Sequence, residues 1–382
     1  MSRSILGIAG ILTLSAMAGA EDVPGPVNLF LPDTLYAVPG IETNVYFDNV
    51  VLVPDPGGFV FDVTCEKGRQ QSERWTFTPA DAEVGNYTFA LDVRDASNQI
   101  IASDTATIIV CPRNALEGQP LSALLIGDSL THASVYSARL LELCGAPANP
   151  ALTLIGSHVP DTQNPLNRHE GYGGWTAQRF AAHYTGVARE GEAKLRGSPF
   201  LYPNEAGTPA LDFARYCQDV AGGKSPDAVT IFLGCNDTFS ATDETITARM
   251  DEMFTYLDQV ITAIRSASPD TRIGLLPPVP PSTSQDAFGA SYANGQTRWQ
   301  YKRNQHAVVR AMHERYGKGQ DPAVSIVPAF TNLDCAHNYP VVSVPWNAQS
   351  AASTERQNDG VHPSSEGYRQ IGDAIYCWLK GR

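Results

Sequence analysis

The stretch LLIGDSLTHAS (residues 124–134) carries the strongest structural signal in this 382-residue chain. Together with Ala123, its first residues form a run of four apolar side chains, which predicts a buried strand. The run ends at Gly127, and Asp128 and Ser129 follow immediately. Open α/β sheets place their ligand and active sites at the carboxyl ends of their strands. Ser129 is therefore a candidate nucleophile, with capping of the next helix as the alternative role.

Beyond residue 121 the chain alternates between short apolar runs and longer amphipathic segments. The apolar runs are 121–126, 152–155, 228–233, 273–276 and 324–327. Residues 243–265 and 363–379 repeat apolar side chains at helical spacing. Strands that alternate with helices predict a parallel sheet covered on both faces. We therefore predict a doubly wound α/β fold for this part of the chain.

Residues 21–112 have a different pattern, which predicts a small all-β sandwich. Apolar residues alternate along 87–93, the turn sequence DASNQ follows, and a second strand is predicted from 100 to 111. This stretch resembles the immunoglobulin-like modules attached to secreted enzymes, although it lacks the Cys…Trp…Cys spacing of antibody domains. Residues 113–120 have the composition of a linker. The second domain then spans residues 121–382.

The first 20 residues have the composition of a secretory signal peptide. Arg3 precedes a short apolar segment, 5–14, and Ala18-Gly19-Ala20 forms a small-residue cleavage site. A buried N-terminal helix is the alternative. We expect a secreted or periplasmic protein. Since no other run approaches about 18 apolar residues, we expect no membrane span.

The charge balance and the cysteines narrow the classes of partner and site. The formal net charge is −13 without a basic stripe, which argues against binding to nucleic acid or anionic lipid. The seven cysteines are an odd number, so at least one thiol is unpaired. Cys65 and Cys111 are the one pair expected in the first domain, because an exported protein can form disulfides. No Cys or Cys/His spacing typical of zinc sites is present.

His362 is the candidate general base. Asp359 lies three residues before it, and Pro363 disfavours helix at His362, so the histidine is predicted to lie in a loop. In an extended Asp-x-x-His segment the carboxylate can bind Nδ1 of the imidazole and leave Nε2 free for a serine. A solvated histidine before a helix is the alternative. His132 is a rival base, but its only acidic neighbour lies beside the nucleophile itself.

Candidate donors for an oxyanion hole lie in two other loops. Gly234 ends the third predicted strand and Asn236 follows it, with a side-chain amide that can bind an oxyanion without adding charge. The glycines of RHEGYGGWT (168–176) follow the second strand and let backbone N–H groups approach a substrate closely. An Asx turn and an ordinary tight turn are the alternatives. In a doubly wound sheet these strand ends converge on one edge, together with Ser129.

As a set, these residues resemble the SGNH branch of the GDSL hydrolases, which is named for Ser, Gly, Asn and His in four sequence blocks. The blocks here are GDSL (127–130), EGYGGWT (170–176), GCND (234–237) and DGVH (359–362). The resemblance implies that Ser129 is the nucleophile, that His362 is the general base and that Asp359 orients His362. It also implies a three-layer α/β/α sandwich, flavodoxin-like, with a five-stranded parallel sheet.

The same resemblance implies an oxyanion hole and a reaction that needs no metal or organic cofactor. The hole would consist of the backbone N–H groups of Ser129 and Gly174 and the side chain of Asn236. Gly173 is adjacent and could take the role of Gly174. The sequence contains neither Gly-x-Ser-x-Gly around Ser129 nor His-Glu-x-x-His, which argues against an ordinary α/β-hydrolase and a zinc hydrolase.

The EGYGGWT block resembles that of the carbohydrate-esterase branch of the superfamily, which favours an acylated glycan as the substrate. We expect a secreted serine esterase that removes short acyl groups, acetyl above all, from a carbohydrate or a small ester. Trp175 is the aromatic residue expected beside the substrate cleft. The alternatives are a lysophospholipase, arylesterase or thioesterase of the same superfamily, and a non-catalytic glycan-binding protein with a vestigial site. The sequence leaves the oligomeric state open.

Overall fold

The computed structural model describes residues 27–186, 196–317, 319 and 321–381. Within them, a parallel sheet with helices on both faces follows a smaller β-rich region. The segment predicted to be a signal peptide, residues 1–20, lies outside the described residues. None of the described helices is both long enough and apolar enough to cross a membrane.

The β-rich region consists mostly of short strands in small sheets. The strands are β1 (Asn28–Leu29), β2 (Thr34–Ala37), β3 (Thr43–Tyr46), β4 (Val51–Leu52), β5 (Val60–Thr64), β6 (Arg69–Gln70), β7 (Arg74–Phe77), β8 (Gly85–Arg94) and β9 (Ile100–Val110). One sheet has the order β2-β9-β8-β5, a second has the order β3-β7-β6, and β1 pairs with β4. A four-residue helix, α1 (Phe47–Val50), lies between β3 and β4.

The side chains of the two larger sheets meet in one core. Phe89, Leu91 and Val93 alternate along β8 and are buried, which is the alternation that the sequence shows over 87–93. Trp75 of the other sheet packs edge-on against Phe89, with 5.1 Å between the ring centroids. The β-rich character of this region is therefore confirmed, whereas its assignment to the immunoglobulin-like modules and its bounds remain predictions.

Five strands of the second part form the parallel sheet among the described residues. The strands of this part are β10 (Pro120–Gly127), β11 (Ala151–Ile155), β12 (Glu170–Gly171), β13 (Leu201–Pro203), β14 (Pro209–Leu211), β15 (Ala228–Phe232), β16 (Arg272–Leu276), β17 (Val324–Ile326), β18 (Val341–Pro345) and β19 (Ser353–Gln357). The sheet order is β11-β10-β15-β16-β17, and the two-residue strand β12 also pairs with β10. The five apolar runs of the sequence are these five strands, so the predicted fold class is confirmed.

Helices cover both faces of this sheet. They are α2 (Ser129–His132), α3 (Val135–Cys144), α4 (Ala177–Ala182), α5 (Phe213–Val220), α6 (Cys235–Thr238), α7 (Ile246–Ala267), α8 (Gln285–Tyr292), α9 (Arg298–Tyr316), α10 (Ala329–Asn332) and α11 (Ser365–Lys380). Leu124 and Ile126 pack in the core beneath α7, whereas Ala123 and Leu125 pack in the core beneath α3 and α11. Because successive strand residues point to opposite faces, β10 is buried on both sides, which explains its four consecutive apolar residues, 123–126.

The expected disulfide between Cys65 and Cys111 is not formed, and all seven cysteines are free thiols. Cys65 packs against the core of the β-rich region, whereas Cys111 belongs to the core beneath α3 and α11. Since a disulfide requires two neighbouring Cβ atoms, side chains that lie in separate cores cannot form one.

Candidate active site

The carboxyl end of β10 places Ser129 at the first residue of α2. Gly127 is required just before it, because a Cβ atom there would lie 2.0 Å from Oγ1 of Thr131 and 2.9 Å from the carbonyl oxygen of Phe232. β12 and β15 both pair with β10 near this end. The loops that follow these three strands therefore come together at Ser129.

Ser129, His362 and Asp359 form a hydrogen-bonded chain. Nε2 of His362 lies 2.9 Å from Oγ of Ser129, across 233 positions of sequence. Nδ1 of the same ring lies 3.1 Å from Oδ2 of Asp359. Oδ1 of Asp359 accepts hydrogen bonds from the backbone N–H groups of Val361 and His362, at 2.9 and 2.8 Å. The loop before α11 thus folds back on its own carboxylate and presents the imidazole to the serine.

The charges at this chain suit a base that receives a proton. The hydrogen bond to Asp359 raises the pKa of His362 against the opposing effect of burial, and the charge of Asp128 adds to the rise. Burial alone would raise the pKa of Asp359, but hydrogen bonds from His362 and Val361 lower it overall. Asp359 is therefore an anion that can stabilise an imidazolium.

The loop after β12 brings Gly174 to the same edge. The backbone N–H of Tyr172 donates to the carbonyl oxygen of Gly127 at 3.0 Å, which keeps the loop alongside β10. Gly174 has a φ of +75°, which favours glycine. Within the described residues, the backbone N–H groups of Ser129 and Gly174 donate no hydrogen bond, so both remain available to a ligand. Gly173 lies outside the left-handed region.

Asn236 lies on α6, and its side-chain amide joins two loops of the site. Nδ2 donates to Oδ2 of Asp128 at 3.0 Å and to the carbonyl oxygen of Trp175 at 3.2 Å. Both N–H bonds therefore have acceptors in this structure. An oxyanion would replace one of these acceptors to receive a hydrogen bond from Asn236.

Asp128 is a member of the site to which the sequence alone assigns no role. Its side chain is buried, and Oδ1 accepts a hydrogen bond from the backbone N–H of Leu130 at 3.0 Å. Burial raises the pKa of Asp128 to about 7, although the hydrogen bond from Leu130 opposes the rise. The sequence signal for this residue is its position, since it directly precedes Ser129 in the GDSL block.

A buried network fixes the loop that carries the glycines. The carboxylate of Glu170 accepts hydrogen bonds from the Tyr216 hydroxyl at 2.7 Å, from the backbone N–H of Ser157 at 2.7 Å and from the Tyr172 hydroxyl. These donors surround a carboxyl group that is fully buried, and its burial raises the pKa of Glu170. Glu170 thus supports the loop through its contacts with Ser157, Tyr172 and Tyr216.

The expectation that Trp175 contacts the substrate is wrong for its side chain. The indole is fully buried and packs against Tyr172 and Phe180, with 4.5 and 4.8 Å between ring centroids. A large aromatic ring gains most by burial, and the core beneath α7 accommodates this one. Trp175 contributes its carbonyl oxygen to the site, where it accepts from Asn236.

The rival base His132 belongs to a different set of contacts. Its Nδ1 lies 3.0 Å from Nε2 of His158, whose own Nδ1 accepts from Arg196 at 3.2 Å. Burial, together with the charge of Arg196, lowers the pKa of His158 to about 4. The ring of His132 thus pairs with another histidine, while His362 is the histidine bonded to Ser129.

Across the described parts of the chain, no three His, Cys, Asp or Glu side chains are grouped so that they could hold a metal ion. The imidazole of His362 contacts Ser129, the carboxylate of Asp359 contacts that imidazole, and the side-chain amide of Asn236 binds the adjacent Asp128. This arrangement can take a proton from a hydroxyl group and can stabilise negative charge on an oxygen atom.

Comparison with known families gives one match that covers most of the chain. A model of the GDSL-like Lipase/Acylhydrolase family matches residues 125–370. A comparison with curated proteins finds no significant match.

Solved structures with similar folds include three whose names refer to carbohydrate esterases. A carbohydrate esterase family 3 protein from Talaromyces cellulolyticus is 19% identical, with 68% of this chain and 96% of that chain covered and a TM-score of 0.38. A family 3 carbohydrate esterase from Clostridium thermocellum is 17% identical, with coverage of 68% and 94% and a TM-score of 0.36. A carbohydrate acetylesterase family member from Sinorhizobium meliloti is 15% identical, with coverage of 68% and 98% and a TM-score of 0.38.

Proposed function

Since this chain belongs to the GDSL-like lipase/acylhydrolase family, we propose that it is a secreted serine esterase that removes short acyl groups, acetyl above all, from a glycan. The observation that carries the proposal is the contact of 2.9 Å between Nε2 of His362 and Oγ of Ser129. A serine hydroxyl is a weak nucleophile unless an adjacent base takes its proton, and this contact supplies that base.

In the proposed reaction Oγ of Ser129 attacks the ester carbonyl while Nε2 of His362 takes the hydroxyl proton. Asp359 holds Nδ1–H and stabilises the imidazolium. The proton then passes to the sugar oxygen, which leaves as an alcohol, and an acyl-enzyme remains on Ser129. Water, deprotonated by His362, attacks the acyl-enzyme and releases the acid. These steps use no metal and no organic cofactor.

The oxyanion that develops on the carbonyl is proposed to accept hydrogen bonds from three donors. Two are the backbone N–H groups of Ser129 and Gly174, which have no other acceptor among the described residues. The third is Nδ2 of Asn236, which exchanges one of its present acceptors for the oxyanion. The two backbone donors are already fixed in place and can stabilise the transition state without reorganisation, whereas Asn236 first has to exchange an acceptor.

Short acyl groups and a bulky alcohol suit the surroundings of the triad. The His362 side chain is 37% exposed, so the leaving-group side of the site opens to solvent. A cavity of about 840 Å³ is lined by residues of β10 and β11, including Pro120 and Leu152, and not by the triad. A long acyl chain would need an apolar channel beside Ser129. The resemblance of the EGYGGWT block adds support for a carbohydrate.

Export and domain organisation are part of the proposal. Residues 1–20 would be removed as a signal peptide, which leaves the protein secreted or periplasmic. An immunoglobulin-like sandwich over 21–112, a linker over 113–120 and the catalytic domain over 121–382 would make up the mature chain. An acylated polysaccharide outside the cytoplasm is a substrate that such a protein would meet.

The test is release of acetate from a panel of acetylated polysaccharides by the full chain, with Ser129→Ala as the matched control. We expect acetate from at least one polysaccharide with the native chain and none with the variant. In parallel, p-nitrophenyl esters of increasing acyl length should be hydrolysed fastest at acetyl. A clear preference for long chains would replace the glycan proposal by a lipid esterase. Glycan binding without hydrolysis of any ester would indicate a vestigial site.

A further inference from the structure

The short helix α1 of the β-rich region packs against the part of the chain that carries the triad. We propose that Asp48 and Asn49 on this helix are positioning residues, which hold the 357–362 loop so that His362 meets Ser129. The inference rests on the proposed function, because the position of His362 matters only if His362 is the base that activates Ser129. It makes the β-rich region a built-in support of the active site, instead of a separately tethered module.

The first connection runs from Asp48 to the backbone between the two triad residues of the loop. Oδ2 of Asp48 accepts a hydrogen bond from Arg298 at 3.1 Å, and Oδ1 accepts from Lys302. Nε of Arg298 donates to the carbonyl oxygen of Ser282 at 3.1 Å. The N–H of Ser282 in turn donates to the carbonyl oxygen of Gly360 at 3.2 Å. Gly360 directly follows Asp359 and lies two residues before His362.

The second connection starts at Asn49 and does not use any residue of the first. Nδ2 of Asn49 donates to the carbonyl oxygens of Phe330 and Leu333, at 2.9 and 2.8 Å. Its Oδ1 accepts from the thiol of Cys335 at 3.4 Å. The carbonyl oxygen of Cys335 then accepts from Nε2 of Gln357 at 2.9 Å. Gln357 lies two residues before Asp359, so both connections end in the same loop.

Burial and charge make these contacts hard to replace by water. Asn49 and Lys302 are both buried, and Lys302 is only 2% exposed. Burial lowers the pKa of Lys302, and the charge of Asp48 opposes that effect. Phe330, whose carbonyl Asn49 binds, packs into the core of the β-rich region. The two parts therefore share both apolar core and polar contacts at α1.

The far side of the loop is equally constrained. A Cβ atom on Gly360 would lie 2.6 Å from the ring of Phe288, so the loop backbone lies directly on that ring. Oε1 of Gln357 accepts from the N–H of Ser284 at 3.1 Å. The loop is therefore held between Phe288 on one side and the contacts from α1 on the other. A misplacement of about 1 Å in a catalytic group can cost on the order of 10²-fold in rate.

The experiment compares Asn49→Ala and Asp48→Asn with Asn44→Ala in the full chain. Asn44 is the matched control because it is also a buried asparagine of the β-rich region that bonds across to the catalytic part, at 3.0 Å to Oδ1 of Asn332. Nδ2 of Asn332 donates a hydrogen bond to the carbonyl oxygen of Gln370 on α11, and not to the 357–362 loop. All three variants are expected to melt at lower temperature.

Two readouts separate positioning from stability. The first is kcat for p-nitrophenyl acetate below the melting range, which we expect to fall about 10- to 100-fold in Asn49→Ala and Asp48→Asn and to change little in Asn44→Ala. The second is NMR titration of the His362 ring, assigned by its absence in His362→Gln. The ring faces Asp359, Asp128 and Ser129. A looser contact with Asp359 lowers its pKa in the first two variants and not in the third.

The inference is overturned if both loop-connected variants match Asn44→Ala in kcat and in the titration. If Asn49→Ala does not fold, Arg298→Lys replaces it, because one ammonium group cannot bind both Ser282 and Asp48 as the guanidinium does. If the native chain hydrolyses no ester, the proposed function fails. The NMR titration then decides the positioning inference alone.

Discussion

The side-chain amide of Asn236 donates to Oδ2 of Asp128 at 3.0 Å, which ties the third sequence block to the residue directly before the nucleophile. Because Asp128 also caps α2 through the N–H of Leu130, one buried carboxyl group orients both the serine and the amide. The amide is therefore held beside the nucleophile before any substrate binds, and it has to exchange one of its two acceptors to bind an oxyanion.

We expect Asn236→Ala to lower kcat for p-nitrophenyl acetate by about 10²- to 10³-fold and to leave KM almost unchanged. The reason is that the amide binds an oxygen that carries full negative charge only in the transition state. Steady-state kinetics on the folded variant measure both constants. An effect confined to KM would place Asn236 in substrate binding and remove it from the oxyanion hole.

Gly174→Ala and Gly173→Ala form a matched pair that identifies the backbone donor. Neither position has an atom within 4 Å of an added Cβ, but only Gly174 has a φ in the left-handed region, at +75°. Alanine there costs about 1–2 kcal/mol of conformational strain and turns the N–H away from the oxyanion. We expect kcat to fall in Gly174→Ala and to stay near native in Gly173→Ala. The reverse result would assign the role to Gly173.

The pH profile of kcat/KM should report the ionisation of His362. Only the neutral ring can take the serine proton, so activity is lost as the pH falls through the pKa of His362. The hydrogen bond to Asp359 raises that pKa, so the acid limb should have its midpoint above about 6.5. Asp128, whose pKa burial raises to about 7, titrates in the same range.

Asp359→Asn separates these two groups. The substitution removes the carboxylate that raises the pKa of His362, so the acid limb should move to lower pH while kcat falls. An acid limb that keeps its midpoint in Asp359→Asn would assign the limb to Asp128. A native midpoint below the ordinary value for histidine would contradict the described contact.

Trp346 is the exposed tryptophan of the hairpin β18–β19, with 60% of its surface accessible. The base of this hairpin is closed by the N–H of Asn358, which donates to the carbonyl oxygen of Pro340 at 2.9 Å, just before Asp359. If a glycan chain extends from the triad along this hairpin, Trp346→Ala should raise KM for the polymer by up to about 10-fold, through loss of stacking. Kinetics on p-nitrophenyl acetate should not change.

The control variant is Val341→Ala, because Val341 is also an exposed residue of this hairpin. Equal effects on KM in both variants would contradict stacking on Trp346.

The sheet could be predicted from the sequence because its strands are buried on both faces and carry mostly apolar runs, as 121–126 does in β10. The position of the Trp175 side chain could not be predicted from the sequence. An aromatic residue in a glycine-rich loop has the same sequence whether its ring faces solvent or a core, and here the ring packs against Tyr172 and Phe180. Tertiary packing alone decides between the two.

The contact between Asp359 and His362 could also be predicted from the sequence, but the contact between His362 and Ser129 could not be predicted from local spacing. Asp334 and His337 repeat the Asp-x-x-His spacing, and Nδ1 of His337 lies 3.0 Å from Oδ2 of Asp334, much as in the pair before α11. Yet the His337 side chain is 76% exposed. What distinguishes His362 is a contact with Ser129 across 233 positions, which no local pattern contains. The resemblance of four separate blocks supplied that information.

The most direct test of the central claim is covalent labelling of the full chain with a serine-reactive organophosphonate, followed by peptide mass spectrometry. We predict one label per chain, on the peptide that contains Ser129, with esterase activity lost in proportion to labelling and no labelling in His362→Gln. Loss of activity with the label on another residue, or full activity after Ser129 is labelled, would contradict the account.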